Sequence, residues 1–189
     1  SDLMRRYGVE GRRLWRLSRG IDARSVDPAR EMKSVSAETT FNADIAAFKP
    51  LEKILWSLCE RVSSRLKAKG IAGTTVTLKL KTADFKIRTR ARALGEPTVL
   101  AARIFAAGRD LLARETDGTR YRLIGIGLSQ LIEAEKADAA DLVDLRATRT
   151  AKAEHAVDKV REKFGRAAVV KGLVFDGTKH DDDNDDDDE

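Results

Sequence analysis

Apolar and polar residues alternate along two neighbouring stretches in the middle of the chain. In residues 74–81, Val76, Leu78 and Leu80 fall on one side of a strand, and Thr75, Thr77, Lys79 and Lys81 on the other, because successive strand side chains point to opposite faces. Residues 85–92 repeat the pattern, with Lys86, Arg88, Arg90 and Arg92 on one side and Phe85, Ile87 and Ala91 on the other. The two stretches predict a hairpin turned near Asp84, with a buried face and a flat basic face. An ordinary solvated sheet face is the plain alternative. Like charges on neighbouring strands cost stability, however, and Asp84 is the acid that these cations meet.

The same reading extends outward. Residues 33–41 alternate, with Val35, Ala37, Thr39 and Phe41 opposed to Ser34, Ser36, Glu38 and Thr40, and predict a strand. In residues 44–69, Leu51, Leu55, Leu58, Val62 and Leu66 recur at three- and four-residue steps. That spacing predicts a helix, bent at Pro50 and stopped at Gly70. A second helix is expected over 98–115, started by Pro97 and Thr98 and burying Leu100, Ile104, Phe105, Leu111 and Leu112. A last strand over 120–132 turns Ile124, Ile126 and Leu128 inward. The order β-α-β-β-α-β predicts an α+β fold: a four-stranded sheet with both helices on one face. The other face is left open, with Ser34, Ser36, Lys79, Lys81, Lys86, Arg88, Arg90 and Arg92 on it. Gly125 and Gly127 open onto that face too, where a backbone could approach and meet their amides. Outside this block, residues 12–18 predict a short helix and 23–32, with Pro28, a linker. Residues 134–149 read as an alanine-rich charged linker. Residues 150–164 predict a C-terminal helix with Ala153, Val157, Val160 and Phe164 on one stripe, ended by Gly165. Trp15, Trp56 and Cys59 are expected to pack.

Charge sharpens this picture. The 189 residues carry a net +5, but residues 181–189 hold eight acids and no cation, so residues 1–180 stand at +13. A strongly basic body points to a polyanionic partner. The acidic tail is of a composition that stays unfolded. It reads as a solubilising end, as a DNA mimic that occupies the basic sheet, or as a partner-binding tail. No apolar run approaches a membrane span and no signal peptide precedes the first charges, which places the chain in the cytoplasm near the nucleoid, without a membrane partner and as a monomer. One cysteine, Cys59, excludes an intrachain disulfide and a cysteine-cluster metal site, and His155 and His180 are far apart in the sequence. No metal site and no catalytic residue is expected in this chain.

The same strand order occurs in RNA-recognition modules, which stack bases on sheet aromatics. Here Phe85 is expected on the buried side, leaving Tyr121 as the aromatic of the open face. Hydroxyls, cations and glycines suit the backbone of a duplex with little sequence preference. Double-stranded DNA or a primer–template is therefore favoured over single-stranded RNA. A stand-alone nucleic-acid-binding module remains the alternative.

The runs Gly20-Ile21-Asp22 and Lys33-Ser34-Val35-Ser36-Ala37-Glu38-Thr39-Thr40-Phe41 resemble the segment joining thumb to little finger in Y-family DNA polymerases. Thr77-Leu78-Lys79-Leu80-Lys81 with Ala83-Asp84-Phe85, and Arg122-Leu123-Ile124-Gly125-Ile126-Gly127-Leu128-Ser129, support the likeness. Residues 3–22 are similar to the end of the thumb. Residues 156–165 are similar to the terminal segment of the bacterial members of DNA polymerase IV type. The likeness covers about residues 3–133 and 150–175. It implies a thumb remnant (1–22), a linker (23–32), a little finger (33–133), a second linker (134–149), a C-terminal helical segment (150–175) and an acidic tail (176–189). It implies a grip on the template–primer duplex through phosphates, in error-prone synthesis past damage during DNA repair. Lys33, Ser34 and Ser36, with Arg122, Gly125 and Gly127 of the last strand, match the family's contacts by position; the hairpin cations rest on alternation. The family's chemistry needs palm carboxylates holding Mg, which this chain does not supply, so the fragment is expected to be inactive alone. The family also docks on the sliding clamp through a peptide with Gln and bulky apolar residues. Leu142, Val143 and Leu145 sit at a fitting linker position, but the Gln and the aromatic are missing, and a plain linker is the other reading.

Overall fold

The computed structural model describes residues 2–25, 32–137 and 145–175. They belong to two compact units, residues 1–31 and 32–189. The first holds α1 (Asp2–Leu17), which starts ten residues before the predicted helix. Asp2, Arg5, Arg6, Glu10, Arg12, Arg13 and Arg16 fall on one side of the helical wheel and Met4, Tyr7, Leu14 and Trp15 on the other, a stripe that the sequence reading cuts short at Gly8 and Gly11. The helix is broken at Gly8, whose φ of 53° and ψ of −125° are not helical; glycine takes such a conformation without steric cost. The Arg19 guanidinium lies 4.0 Å from the Trp15 ring centroid. Arg24 pairs with Asp22 at 2.5 Å, and its hydrogen bonds hold the Asp22 carboxyl down at about 2.

The second unit is the predicted α+β architecture. Its elements are β1 (Ser34–Ile45), α2 (Phe48–Ala68), β2 (Ile71–Thr82), β3 (Ile87–Thr98), α3 (Ala101–Ala113), β4 (Tyr121–Glu133) and α4 (Leu145–Phe164). The four strands form one antiparallel sheet in the order β1-β4-β2-β3. Between α2, α3 and the sheet lies the core: Leu51, Leu55, Leu58, Val62 and Leu66 of α2, Ile104 and Leu112 of α3, and Val76, Leu78, Leu80, Ile124, Ile126 and Leu128 of the sheet. Each such side chain contributes about 1.5–3 kcal/mol on burial. Trp56 and Phe105 meet edge to face at 5.1 Å between centroids. Cys59 is fully buried and its thiol pKa is pushed up by burial, then by Glu60.

Element ends differ from the sequence reading for local reasons. The first strand runs on to Ile45, and α2 begins at Phe48. Pro50 therefore sits in the first turn, where the missing N–H costs nothing, and no bend is needed. Gly70, with φ of 62°, stops α2 as predicted. The third helix begins at Ala101, because Thr98 still belongs to β3 and its hydroxyl accepts from the Leu100 amide at 3.0 Å. The C-terminal helix starts at Leu145, inside the expected linker.

The largest departure is how α4 docks. Its expected stripe is half outside, with Val160 37% and Phe164 65% exposed. The residues that meet the body are Ala151, Glu154, Asp158 and Arg161. Glu154 accepts from the Ala101 amide at 2.8 Å and from the Ala102 amide at 3.3 Å. No acid of its own stands in the first turn of α3, so a carboxylate from another helix supplies the negative charge that a helix N-terminus favours. Lys67 bonds Glu154 at 2.7 Å and Asp158 at 2.5 Å. Burial alone would lower the Lys67 pKa; the bonds to Asp158 and Glu154 outweigh it together, and the pKa is raised. Arg161 bridges Glu60 at 2.7 Å and the Val169 carbonyl at 2.9 Å. Lys171 lies 3.6 Å from the Trp56 ring centroid.

Candidate nucleic-acid interface

Cross-strand partners share a face of an antiparallel sheet, so the register assigns every residue a side. On the side away from α2 and α3 the rows are Ser34–Ser129–Thr75–Ala93, Ser36–Gly127–Thr77–Ala91, Glu38–Gly125–Lys79–Thr89 and Thr40–Leu123–Lys81–Ile87. Hydroxyls fill the first two rows and the lysines the last two. Ser34, Ser36, Lys79, Lys81, Gly125 and Gly127 thus stand together on the open face, as the sequence predicts. Lys33 is exposed just before β1.

The cations of β3 lie elsewhere. Arg88 pairs across the sheet with Leu80, Arg90 with Leu78 and Arg92 with Val76, so all three point to the helix side. Arg90 meets Glu115 at 2.7 Å, Arg88 meets it at 3.3 Å, and Arg92 meets Asp110 at 2.6 Å. Two physical causes overturn the alternation argument. The turn fixes the register: Thr82 donates its amide to the Lys86 carbonyl at 2.9 Å and accepts from the Lys86 amide at 3.1 Å, setting Ile87 opposite Lys81. And β3 is an edge strand beyond the apolar core, where arginine stems and their acids cover the sheet. Ile87, expected inward, is 60% exposed. Lys86 lies in the turn itself, 2.8 Å from Asp84. Its hydrogen bond, then that of Thr82, holds the Asp84 carboxyl at about 2.

The aromatics exchange roles. Tyr121 is fully buried on the helix side, donating to the Glu115 carbonyl at 2.7 Å. Phe85 is 60% exposed, with φ of 66°. The Arg122 guanidinium sits 4.0 Å and the Lys81 ammonium 4.8 Å from its ring centroid. Arg122 reaches it because β4 is bulged there: Leu123 opposes Lys81 and Tyr121 opposes Thr82, leaving Arg122 over.

Gly125 and Gly127 have a different use from the one expected. The fourth strand is flanked by β1 and β2, so its amides serve the ladders rather than stand free. A Cβ on Gly125 would come 2.9 Å from the Glu38 Cβ, and one on Gly127 would come 2.8 Å from the Ser36 Cβ. The missing side chain at Gly125 lets Lys79 reach across β4 to Glu38 at 2.9 Å. Sequence reasoning placed Glu38 on this face without giving it a role; the two-residue step from Ser36 was the available signal.

Among the described residues, no group of three or more His, Cys, Asp or Glu is placed to hold a metal ion. The two-metal centre of a polymerase does not fit the side chains described. No described helix is long and apolar enough to cross a membrane. Leu142 and Val143 of the expected clamp peptide, and the acidic tail from residue 176, lie outside the described residues; Leu145 opens α4.

The open face presents hydroxyls, Lys79 and Lys81 beside one carboxylate, Glu38, groups that can bond the oxygens of an anion. Residues 32–142 match the family model described as the impB/mucB/samB family C-terminal domain, and the chain belongs to that family. It is 61% identical over 174 residues to DNA polymerase IV 1 of Mesorhizobium japonicum, which covers 92% of this chain and 40% of that protein. It is 58% identical over 173 residues to DNA polymerase IV of Brucella melitensis, which covers 92% of this chain and 39% of that protein. A solved complex of a beta-clamp processivity factor with the little finger domain of PolIV aligns at 25% identity and a TM-score of 0.44, over 51% of this chain and 86% of that one. The chain spans about two fifths of the length of the curated relatives it matches.

Proposed function

We propose that this chain is the little finger of an error-prone, translesion DNA polymerase, preceded by the end of its thumb. Residues 33–133 grip the template–primer duplex, residues 1–22 are the thumb end, and residues 150–175 brace the finger's helices. The observation that carries this reading is the open face itself. Its hydroxyls and lysines lie in rows on the sheet, two of its central positions are glycine, and none of the helices described in residues 32–175 covers it, in a chain whose relatives are DNA polymerases. Phosphates of a duplex fit such a face through Lys33, Ser34, Ser36, Lys79, Lys81 and Arg122. Phosphoryl transfer with its two divalent metals belongs, on this reading, to the other three fifths of a whole polymerase. Docking on the sliding clamp through Leu142, Val143 and Leu145 remains part of the proposal, as does a role in DNA repair.

The test is a salt titration of binding to fluorescent primer–template, beside single-stranded DNA and duplex RNA. A steep salt dependence with preference for duplex DNA is expected. Tighter binding to single strands with a shallow slope would favour a stand-alone module that stacks bases, which exposed Phe85 would then serve.

A further inference from the structure

Most cations of the hairpin are already engaged. Lys79 is held by Glu38, Lys86 by Asp84, Arg88 and Arg90 by Glu115, and Arg92 by Asp110. Lys81 and Arg122 differ: among the described residues neither has a carboxylate partner, and both lie over one aromatic ring. That ring is held in place against local preference. A bulky residue at φ of 66° occupies the small left-handed region that Gly, Asn or Asp would enter more cheaply. The turn keeps it there, with the Phe85 amide bonded to the Thr82 carbonyl at 2.9 Å. The bulge in β4 does the rest. Plain alternation would send Arg122 to the helix side with Ile124; the extra residue re-aims it, as bulges do.

We propose that Phe85 is a positioning residue whose ring holds Lys81 and Arg122 together as one clamp for a backbone phosphate at the end of the open face. The inference rests on the duplex-gripping reading above. The negative potential above the ring attracts both cations, Arg122 at 4.0 Å and Lys81 at 4.8 Å from its centroid, without neutralising them. Their like charges are thus kept close before any anion arrives, and the phosphate finds two donors with little rotamer freedom left to lose. A carboxylate in the same place would also gather the cations, but it would compete with the phosphate. The ring does not.

The experiment uses the full chain and a fluorescent primer–template over a salt series. Lys81→Ala and Arg122→Ala should each weaken binding and flatten the log–log salt slope by about 0.9. Phe85→Leu and Phe85→Met keep an apolar side chain and remove the ring. They should loosen binding by about three- to tenfold with the slope unchanged, since the charges remain. Phe85→Tyr should restore wild-type affinity. In a Lys81→Ala/Arg122→Ala background, Phe85→Leu should have no further effect. Thermal unfolding checks that each variant is folded; the Phe85 side chain is 60% exposed and stands outside the core. Wild-type affinity in the folded Leu and Met variants would overturn the clamp, as would a full Phe85→Leu loss in the double-mutant background. If the wild-type chain itself fails to bind duplex DNA, the duplex-gripping reading falls first. A binding wild type with indifferent Phe85 variants removes the clamp alone.

Discussion

Glu38 is the acid in the middle of a face proposed to hold phosphates, and neutralising it should tighten DNA binding. Its carboxylate holds Lys79 across Gly125 at 2.9 Å, with side-chain exposures of 51% for Glu38 and 40% for Lys79. A phosphate taken by Lys79 would lie about one strand spacing, roughly 5 Å, from that carboxylate. In water-like surroundings the repulsion is about 0.8 kcal/mol. Freeing Lys79 from an exposed pair adds a few tenths of a kcal/mol. Glu38→Gln should therefore favour binding by about 1 kcal/mol, or roughly fivefold in Kd. The Debye length is about 10 Å at 0.1 M salt, so the gain should survive ordinary buffers. Fluorescence anisotropy with labelled primer–template measures it, beside Lys79→Ala and the double variant. Without Lys79 the gain should shrink to the repulsion alone. A folded Glu38→Gln protein that binds no better than wild type would refute the reasoning. Weaker binding would mean that Glu38 aims Lys79 rather than restraining it.

Glu154→Ala removes the cap on the Ala101 and Ala102 amides and one of two partners of Lys67, and should cost about 2 kcal/mol in urea unfolding. Glu154→Gln should lose less, because the amide oxygen still accepts. At the hairpin turn, the folded-state pKa of Asp84 is depressed to about 2. Its contribution is therefore present above the unfolded carboxyl value and lost as pH falls through about 4 toward 2. NMR titration of the Asp84 carboxyl should show that midpoint, and Lys86→Ala should raise it. A midpoint near 4 in the wild type would show that the Lys86 and Thr82 bonds do not form in solution.

Where periodicity meets a covering layer, the sequence is a sufficient guide. Leu51, Leu55, Leu58, Val62 and Leu66 face the sheet, and Val76, Leu78 and Leu80 face the helices, because each apolar step has something apolar to meet. The third strand has no such layer. Its inward positions are Arg88, Arg90 and Arg92, and its outward ones include Ile87 and Ala91, so a rule that sends apolar side chains inward inverts it. Register there comes from the turn, which the pattern does not encode. The Glu154 cap is equally hidden: it joins residues more than fifty positions apart, and the apolar stripe of α4 pointed to the wrong face. Of the candidate site, the rows of β1, β2 and β4 were legible. The clamp of Lys81, Arg122 and Phe85 was not, since a bulge and a positive φ create it.

These corrections change the expected salt dependence, and the change can be measured. Counting cations along the hairpin gives six, which suggests a slope of about −5.4. Counting those that the structure leaves on or beside the open face gives Lys33, Lys79, Lys81 and Arg122, with Lys79 partly restrained by Glu38. Four contacts imply a slope of about −3.6, and the arginines of β3 should add nothing to it. Arg92→Ala is the sharp control. It deletes a positive charge from the same hairpin but from the opposite face, so affinity should fall by no more than distant screening permits and the slope should hold. Lys81→Ala removes the same charge from the open face and should flatten it. Equal effects from the two would mean that the duplex wraps the sheet edge, and that the helix-side arginines leave Glu115 and Asp110 to meet it.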